Sequence, residues 1–235
     1  MNDTYPNPLT HPLLQRLGGL VATQVECALN AIARTTKGDV ALALRREDQI
    51  NALEREVLRE CETSGSSLAL RPLNPSQRVS LARAAKDLER IGDEAKKIIA
   101  KCLIVHGEQF FALEQTPPIV CMAHHACQGI VRAIDVLGTL DKTDALRIIA
   151  ADLQIDAELD EVMSQVVEVI HATPLAARSG FDVVFIAKAW ERIGDHAKNL
   201  AENAIEITVH GHGKADTPLD AAKLVWENDA EVLGA

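Results

Sequence analysis

Aromatic residues are nearly missing from this chain: phenylalanine, tryptophan and tyrosine together supply 3% of its 235 residues. A chain of this length buries a real core, and here that core must come from Leu, Ile, Val and Ala. Long Ala- and Leu-rich stretches carrying Glu, Arg and Lys favour packed helices over a β-sandwich. Cysteine is sparse as well. Cys27, Cys61, Cys102, Cys121 and Cys127 are odd in number and contain no C-x-x-C pair, which excludes a disulfide framework and a zinc ribbon. Four of them fall among apolar residues at helical spacing and read as reduced side chains of a core. No run of about 18 apolar residues occurs, and Met1-Asn2-Asp3-Thr4 opens no basic and apolar leader. The expectation is therefore a cytoplasmic protein with neither a membrane span nor a secretory signal. A basic surface is lacking too. Up to Gln115 the chain has 15 Lys and Arg against 15 Asp and Glu, and from Thr116 onward 9 against 19, so the second half carries the whole net charge of −10. That excludes the basic footprint of a nucleic-acid binder. An acidic half attracts cations or a basic partner, or is simply a solvated face.

What the chain does have is long helical periodicity punctuated by proline. Pro6, Pro8 and Pro12 mark a loose N-terminal arm, Pro72 and Pro75 break the first half, Pro117 and Pro118 stand at mid-chain, Pro174 breaks the second half and Pro218 lies in the tail. Between them the spacing predicts six helices, over 13–35, 39–62, 74–106, 118–140, 143–171 and from Pro174 or Ser179 to His210. Asn74 before Pro75, Asp39 and the Asp141–Asp144 segment supply helix starts. Pro218 could open one short further helix in the tail.

The two halves repeat each other. Ala85 to Lys96 reads AKDLERIGDEAK and Ala187 to Lys198 reads AKAWERIGDHAK, with nine of twelve positions identical at an offset of 102. Upstream, Glu47, Ile50 and Asn51 match Asp152, Ile155 and Asp156 at an offset of 105. Agreement that dense marks an internal duplication. The expected fold is all-α, two tandem three-helix bundles over 13–115 and 116–213, with an unassigned arm (1–12) and tail (214–235). Leu81, Ala85, Leu88, Gly92, Ala95, Ile99 and Cys102 form a seam of alternating three- and four-residue spacing, and Val183, Ala187, Trp190, Gly194, Ala197, Ala201 and Ala204 repeat it. Its small residues let neighbouring helices approach closely.

Candidate chemistry is confined to paired carboxylates. Glu89 and Asp93 stand four apart on one helix face, as do Glu191 and Asp195, and the adjacent helix of each repeat offers Glu47 with Asn51 and Asp152 with Asp156. Two facing helices of this kind can place four oxygen donors around a hard cation such as Mg²⁺, Mn²⁺ or iron. Lys86, Arg90, Lys96 and Lys97 flank the first pair and Lys188, Arg192 and Lys198 the second, so a salt-bridged, solvated face reads equally well. Glu168-x-x-His171 is half of a di-iron signature whose second half is missing, adjacent His124 and His125 cannot chelate together, and His196 beside Asp195 could support a site. No nucleophile–base pair and no glycine-rich phosphate loop occur, so no catalytic residue is expected and the chain is not read as an enzyme.

At Glu89 to Asp93 and Glu191 to Asp195 the sequence resembles the PhoU family of bacterial phosphate-transport accessory and regulatory proteins. Its mark is a repeated E-R-I-G-D helix in two tandem three-helix bundles. The resemblance covers about 13–213; the last twenty or so residues extend past the usual family end. It implies a negative regulator of the phosphate-starvation response, linking the ATPase of a phosphate ABC transporter to its sensor histidine kinase. It also implies metal binding (Mg, Mn, Fe or Zn) at Glu89, Asp93, Glu191 and Asp195, extended to Glu47, Asn51, Asp152 and Asp156, with Asn51 standing where a carboxylate could be. A homodimer is the ordinary expectation for a soluble assembly. The competing readings are a carboxylate metalloprotein with redox activity and a metal-free helical scaffold.

Overall fold

In the computed structural model the described residues are 7–62, 75–108, 110–113 and 116–210. They form six helices and no strand: α1 (Pro12–Ala33), α2 (Lys37–Glu62), α3 (Pro75–Glu108), α4 (Pro117–Thr139), α5 (Lys142–Ala172) and α6 (Ala177–His210). Short 3-10 turns at Pro8–Thr10 and Pro174–Ala176 precede α1 and α6. Asn74, Pro6, Pro72 and the tail with Pro218 lie outside the described residues. No described helix is long and apolar enough to cross a membrane.

The helix starts show what the sequence reading placed two residues late. Thr36, not Asp39, caps α2: the Thr36 N–H and hydroxyl both donate to Asp39 Oδ2 at 2.7 Å, and the Asp39 N–H returns a bond to Thr36 Oγ1 at 3.3 Å. This reciprocal capping box satisfies donors at both ends of the first turn, so Lys37 and Gly38 are already helical. Asp141 caps α5 as expected, accepting from the N–H groups of Thr143 and Asp144 at 2.8 and 3.1 Å. The arm is not loose from Asn7 onward. Asn7 Nδ2 donates to the carbonyls of Leu137 and Gly138, Leu9 is buried, and Pro12 begins α1. Of the cysteines only Cys102 is fully buried, where burial pushes its thiol up to about 12; Cys121 is exposed.

Helices α3 and α6 form the centre. Each packs on the other two helices of its own repeat, and they pack on each other. α1 and α4 meet on one side of this pair, while α2 and α5 lie at the two outer edges. The expected seams are buried, but so are Ala84, Ile91 and Ile98 on α3 and Ile186, Ile193 and Leu200 on α6. A single seam is too narrow because each central helix meets three neighbours rather than one. Along α3 the cross-pairs with α6 run in opposite order: Arg83 with Glu206, Asp87 with His196, Glu94 with Arg192 and Lys101 with Asp182. The two helices are thus antiparallel. The 102-residue offset turns the Lys101–Asp182 pair into the Asn203–Ser80 pair, whose bond is 2.8 Å. The repeats are therefore related by an approximate two-fold axis whose centre falls beside Ile91 and Ile193, inside the repeated motif.

The motif glycines turn toward the outer helices. A Cβ on Gly92 would lie 2.8 Å from Ile50 Cδ1 on α2, and one on Gly194 2.8 Å from Ile155 Cδ1 on α5. Each isoleucine packs on bare backbone, which explains why both helices tolerate a glycine that disfavours a helix interior by about 1 kcal/mol. Leucine at either position must push α2 or α5 outward. Gly92→Leu and Gly194→Leu are each expected to lose on the order of 1–3 kcal/mol, measured by denaturant unfolding. Parental stability in both would show that Ile50 and Ile155 yield freely.

Candidate functional site

The paired carboxylates sit where α2 meets α3 and where α5 meets α6. Ile50 and Ile155 anchor the helix pairs at the glycines, and this brings Glu47 and Asp152, one turn earlier on each outer helix, down beside the same glycine: Glu47 Oε2 is 3.7 Å and Asp152 Oδ1 3.5 Å from the glycine Cβ position. Both carboxylates are buried. The E-x-x-x-D pairs of α3 and α6 complete the two faces. Packing at these joints sets Glu47 against α3 and Asp152 against α6.

The two faces differ in how their charge is met. In the first repeat Asn51 Nδ2 donates to Glu47 Oε1 at 3.3 Å, Lys96 stands 3.7 Å from the same oxygen, and Lys96 and Lys97 both hold Asp93 at 2.6 Å. Burial works to raise the Asp93 carboxyl, but the bonds and charges of the two lysines outweigh it and bring it below the ordinary range. Burial raises Glu47, with Lys96 opposing it, and its Oε2 atom is buried without a hydrogen-bond partner. Glu89 makes no hydrogen bond or ion pair with any described residue.

In the second repeat Lys198 turns to the buried Asp152 at 2.8 Å and Lys188 to Glu191 at 2.7 Å. Asn199 stands where Lys97 stands in the first repeat. Asp195 and Asp156 consequently have no hydrogen-bond or ion-pair partner among the described residues. Burial, then the neighbouring charges of Glu191 and Asp152, raise the Asp195 carboxyl despite Lys198, and Asp156 adds to the same effect. The same motif aspartate is stabilised as an anion in one repeat and destabilised in the other.

Among the described residues no three His, Cys, Asp or Glu groups converge as the ligands of a metal ion; lysines stand among the carboxylates in both repeats. His196 turns away from Asp195, its Nδ1 lying 3.0 Å from Asp87 on α3, and His125 meets Glu158 on α5 at 2.7 Å. The ion pairs that sequence reasoning missed join helices far apart in the chain: buried Glu54 with Lys86 at 2.5 Å, and buried Glu94 with Arg192 at 3.3 Å. Glu54 lies one heptad beyond Glu47 on the same face of α2, a spacing that could have signalled it. No spacing rule reveals the pairing of Glu94 with Arg192, which depends on the α3–α6 contact.

Taken together these features define a class: an all-α internal-repeat protein whose repeated motif builds a helix joint and two charged faces. Comparison with known proteins makes the class specific. The PhoU domain model matches this chain twice, at residues 14–101 and 119–204. The chain belongs to the PhoU family. It is 30% identical over 204 residues to the phosphate-specific transport system accessory protein PhoU homolog of Pseudomonas aeruginosa, covering 83% of this chain and 80% of that one. A homolog of the same description from Burkholderia sp is 31% identical over 205 residues, covering 81% and 82%. The crystal structure of PhoU from Pseudomonas aeruginosa superposes with a TM-score of 0.74 at 29% identity, over 83% of this chain and 93% of that chain. These relatives are named accessory proteins, not enzymes.

The contrast between the faces predicts opposite mutational signs in metal-free protein. Asp93→Asn is expected to lose about 0.5–1 kcal/mol, since two part-exposed ion pairs disappear. Asp195→Asn is expected to leave stability unchanged or to raise it, because it removes repulsion. The pH dependence agrees in sign: the Asp93 contribution is present above the unfolded pKa and lost as pH falls through its lowered folded value. The protonated Asp195 contribution is present below the unfolded pKa and lost as pH rises through its raised folded value. Denaturant unfolding with a chelator checks both, and equal losses in the two variants would contradict the asymmetry.

Proposed function

We propose that this chain is a cytoplasmic negative regulator of the phosphate-starvation response and of high-affinity phosphate uptake. It acts as an adaptor, as a homodimer, between the ATPase of a phosphate ABC transporter and a sensor histidine kinase. The observation that carries this reading is the doubled E-R-I-G-D helix at the centre of a two-fold repeat, within a chain that shares most of its length with phosphate-transport accessory proteins. Deleting this protein should raise an alkaline phosphatase reporter in phosphate-rich medium. An unchanged reporter in the deletion strain would defeat the assignment.

A hard metal ion at the acidic faces belongs to the same proposal. The residues fit such an ion by chemistry. The donors are all oxygen, as Mg²⁺, Mn²⁺ and iron prefer and zinc does not. Glu47 carries a buried oxygen without a partner, and Asp195 lies among Glu191, Asp152 and Asp156 with too little positive charge. Asp152, Asp156, Glu191 and Asp195 would hold the ion in the second repeat, and Glu47, Asn51, Glu89 and Asp93 in the first; its charge would take over the role that lysine fills. Affinity of oxygen sites rises with ligand charge, and the first face is already neutralised by Lys96 and Lys97. The second repeat is therefore expected to fill first when Mn²⁺ is titrated into stripped protein. Glu191→Gln with Asp195→Asn should abolish the tighter calorimetric event, and Glu89→Gln with Asp93→Asn only the weaker. Equal affinities would sink the ranking, and no heat with no metal in any preparation would sink the metal.

A further inference from the structure

The groove between α3 and α6 has two ends that the 102-residue offset makes equivalent, and they have opposite chemistry. At one end Lys97 meets Glu94 at 3.0 Å, and Lys101 bonds Asp182 while its Nζ lies 5.2 Å over the Phe185 ring. At the other end Asn199 and Asn203 occupy the places of Lys97 and Lys101, and Glu202 and Glu206 the places of Ala100 and Ile104. On α6 two cations are gone and two carboxylates are added, while on the facing α3 Arg83 stands for Phe185, Asp87 for Ala189 and Ser80 for Asp182. An open cavity of about 180 Å³ is found there, lined by Arg83, Asp87, Asn199, Glu202, Asn203 and Glu206.

The polar groups of this cavity are only partly met. Arg83 pairs with Glu206 at 2.9 Å, and Asp87 lies 3.0 Å from His196 Nδ1 and 3.4 Å from Asn199 Nδ2. Asn203 is 4% exposed; its Nδ2 donates to the Ser80 carbonyl, but its Oδ1 has no hydrogen-bond partner. Glu202 takes no hydrogen bond or ion pair from any described residue. Glu202 is exposed at the rim; partial desolvation raises its carboxyl, and the charges of Glu206, Asp152 and Asp87 add to this against the opposing Lys198.

We infer that this cavity receives one alkylammonium or guanidinium group, the end of a lysine or arginine side chain carried by a protein partner. Glu202, whose charge Lys198 opposes without bonding it, and the buried Asn203 Oδ1 are the groups there that an added cation would meet. At the equivalent end Lys101 places an ammonium between these two helices against Asp182; here Ser80 stands for Asp182, and the carboxylates come from Glu202, Glu206 and Asp87 instead. The carboxylates do not converge as ligands of one metal ion. The volume is that of several water molecules at roughly 30 Å³ each, enough for the end of a lysine side chain. The existence of the site rests on this geometry alone; the partner rests on the adaptor reading above.

The test uses the full chain, labelled with ¹⁵N and titrated with N-acetyl-lysine methylamide, with the neutral norleucine analogue in parallel. The lysine probe should shift the signals of Asn199, Glu202 and Asn203, the shifts should weaken as salt is raised, and the norleucine analogue should leave them in place. Asn203→Lys installs the ammonium of the other end. It should abolish the shifts. Glu202→Gln, a change at the rim, should weaken the probe roughly threefold. Shifts that persist in Asn203→Lys and in Glu202→Gln, or that norleucine reproduces, would overturn the site. Shifts that emerge only after Lys214→Gln and Lys223→Gln would give the cavity to the chain's own tail and overturn the partner. In cells, Asn203→Lys protein at normal abundance should derepress the phosphatase reporter; full repression would overturn the regulatory use of the site. A reporter that ignores even the deletion defeats the adaptor reading instead, and leaves the outcome of the titration standing.

Discussion

The contact on which the rest of the structure depends is the antiparallel packing of α3 on α6. Ile91 and Ile193 are fully buried at its centre, and every other helix is placed by reference to this pair: α1 and α4 cover one side, α2 and α5 flank it. Two duplicated three-helix units, each with an apolar stripe left over, solve the same burial problem by using each other. Without α6, α3 would expose a row of Leu, Ile and Ala; without α3, α6 would do the same. The motif that marks the sequence thus sits where the two halves meet.

A near-two-fold arrangement then exposes what the repeats have ceased to share. Symmetric packing forces the backbone to repeat, but places no such demand on the surface charges. Lys97 and Lys101 have become Asn199 and Asn203, and Lys198 turns to Asp152 instead of Asp195. These exchanges take two cations from the second half and leave carboxylates there unmatched. That is where the chain's net negative charge comes to lie. An electrostatic surface of this kind steers and selects partners more than it adds to folding stability, in keeping with an accessory role.

Much of the fold was legible in the residues. The 102-residue offset, the helical periods and the proline breaks located all six helices to within a few residues, because proline chemistry and a 3.6-residue period act locally. The Asp141 cap was legible for the same reason. The Thr36 cap was not: the Asp39 side chain could cap or be capped, and only the reciprocal bond decides. Of the candidate site, the joining of Glu47 to Asp93 and of Asp152 to Asp195 followed from spacing, but the role of each charge did not.

The sequence by itself determined that the protein is helical, duplicated, built on an aliphatic core and a member of one family, since all of these follow from local pattern and from repetition. Tertiary structure alone decided which charges meet. Lys96 lies within reach of both Glu47 and Asp93, while its repeat equivalent bonds only Asp152. Arg192 crosses to Glu94, His196 to Asp87, and the space left by two missing lysines becomes a cavity. Such outcomes depend on distances of a few ångströms between side chains 46 to 109 residues apart in the chain, and no periodicity within one helix carries that information.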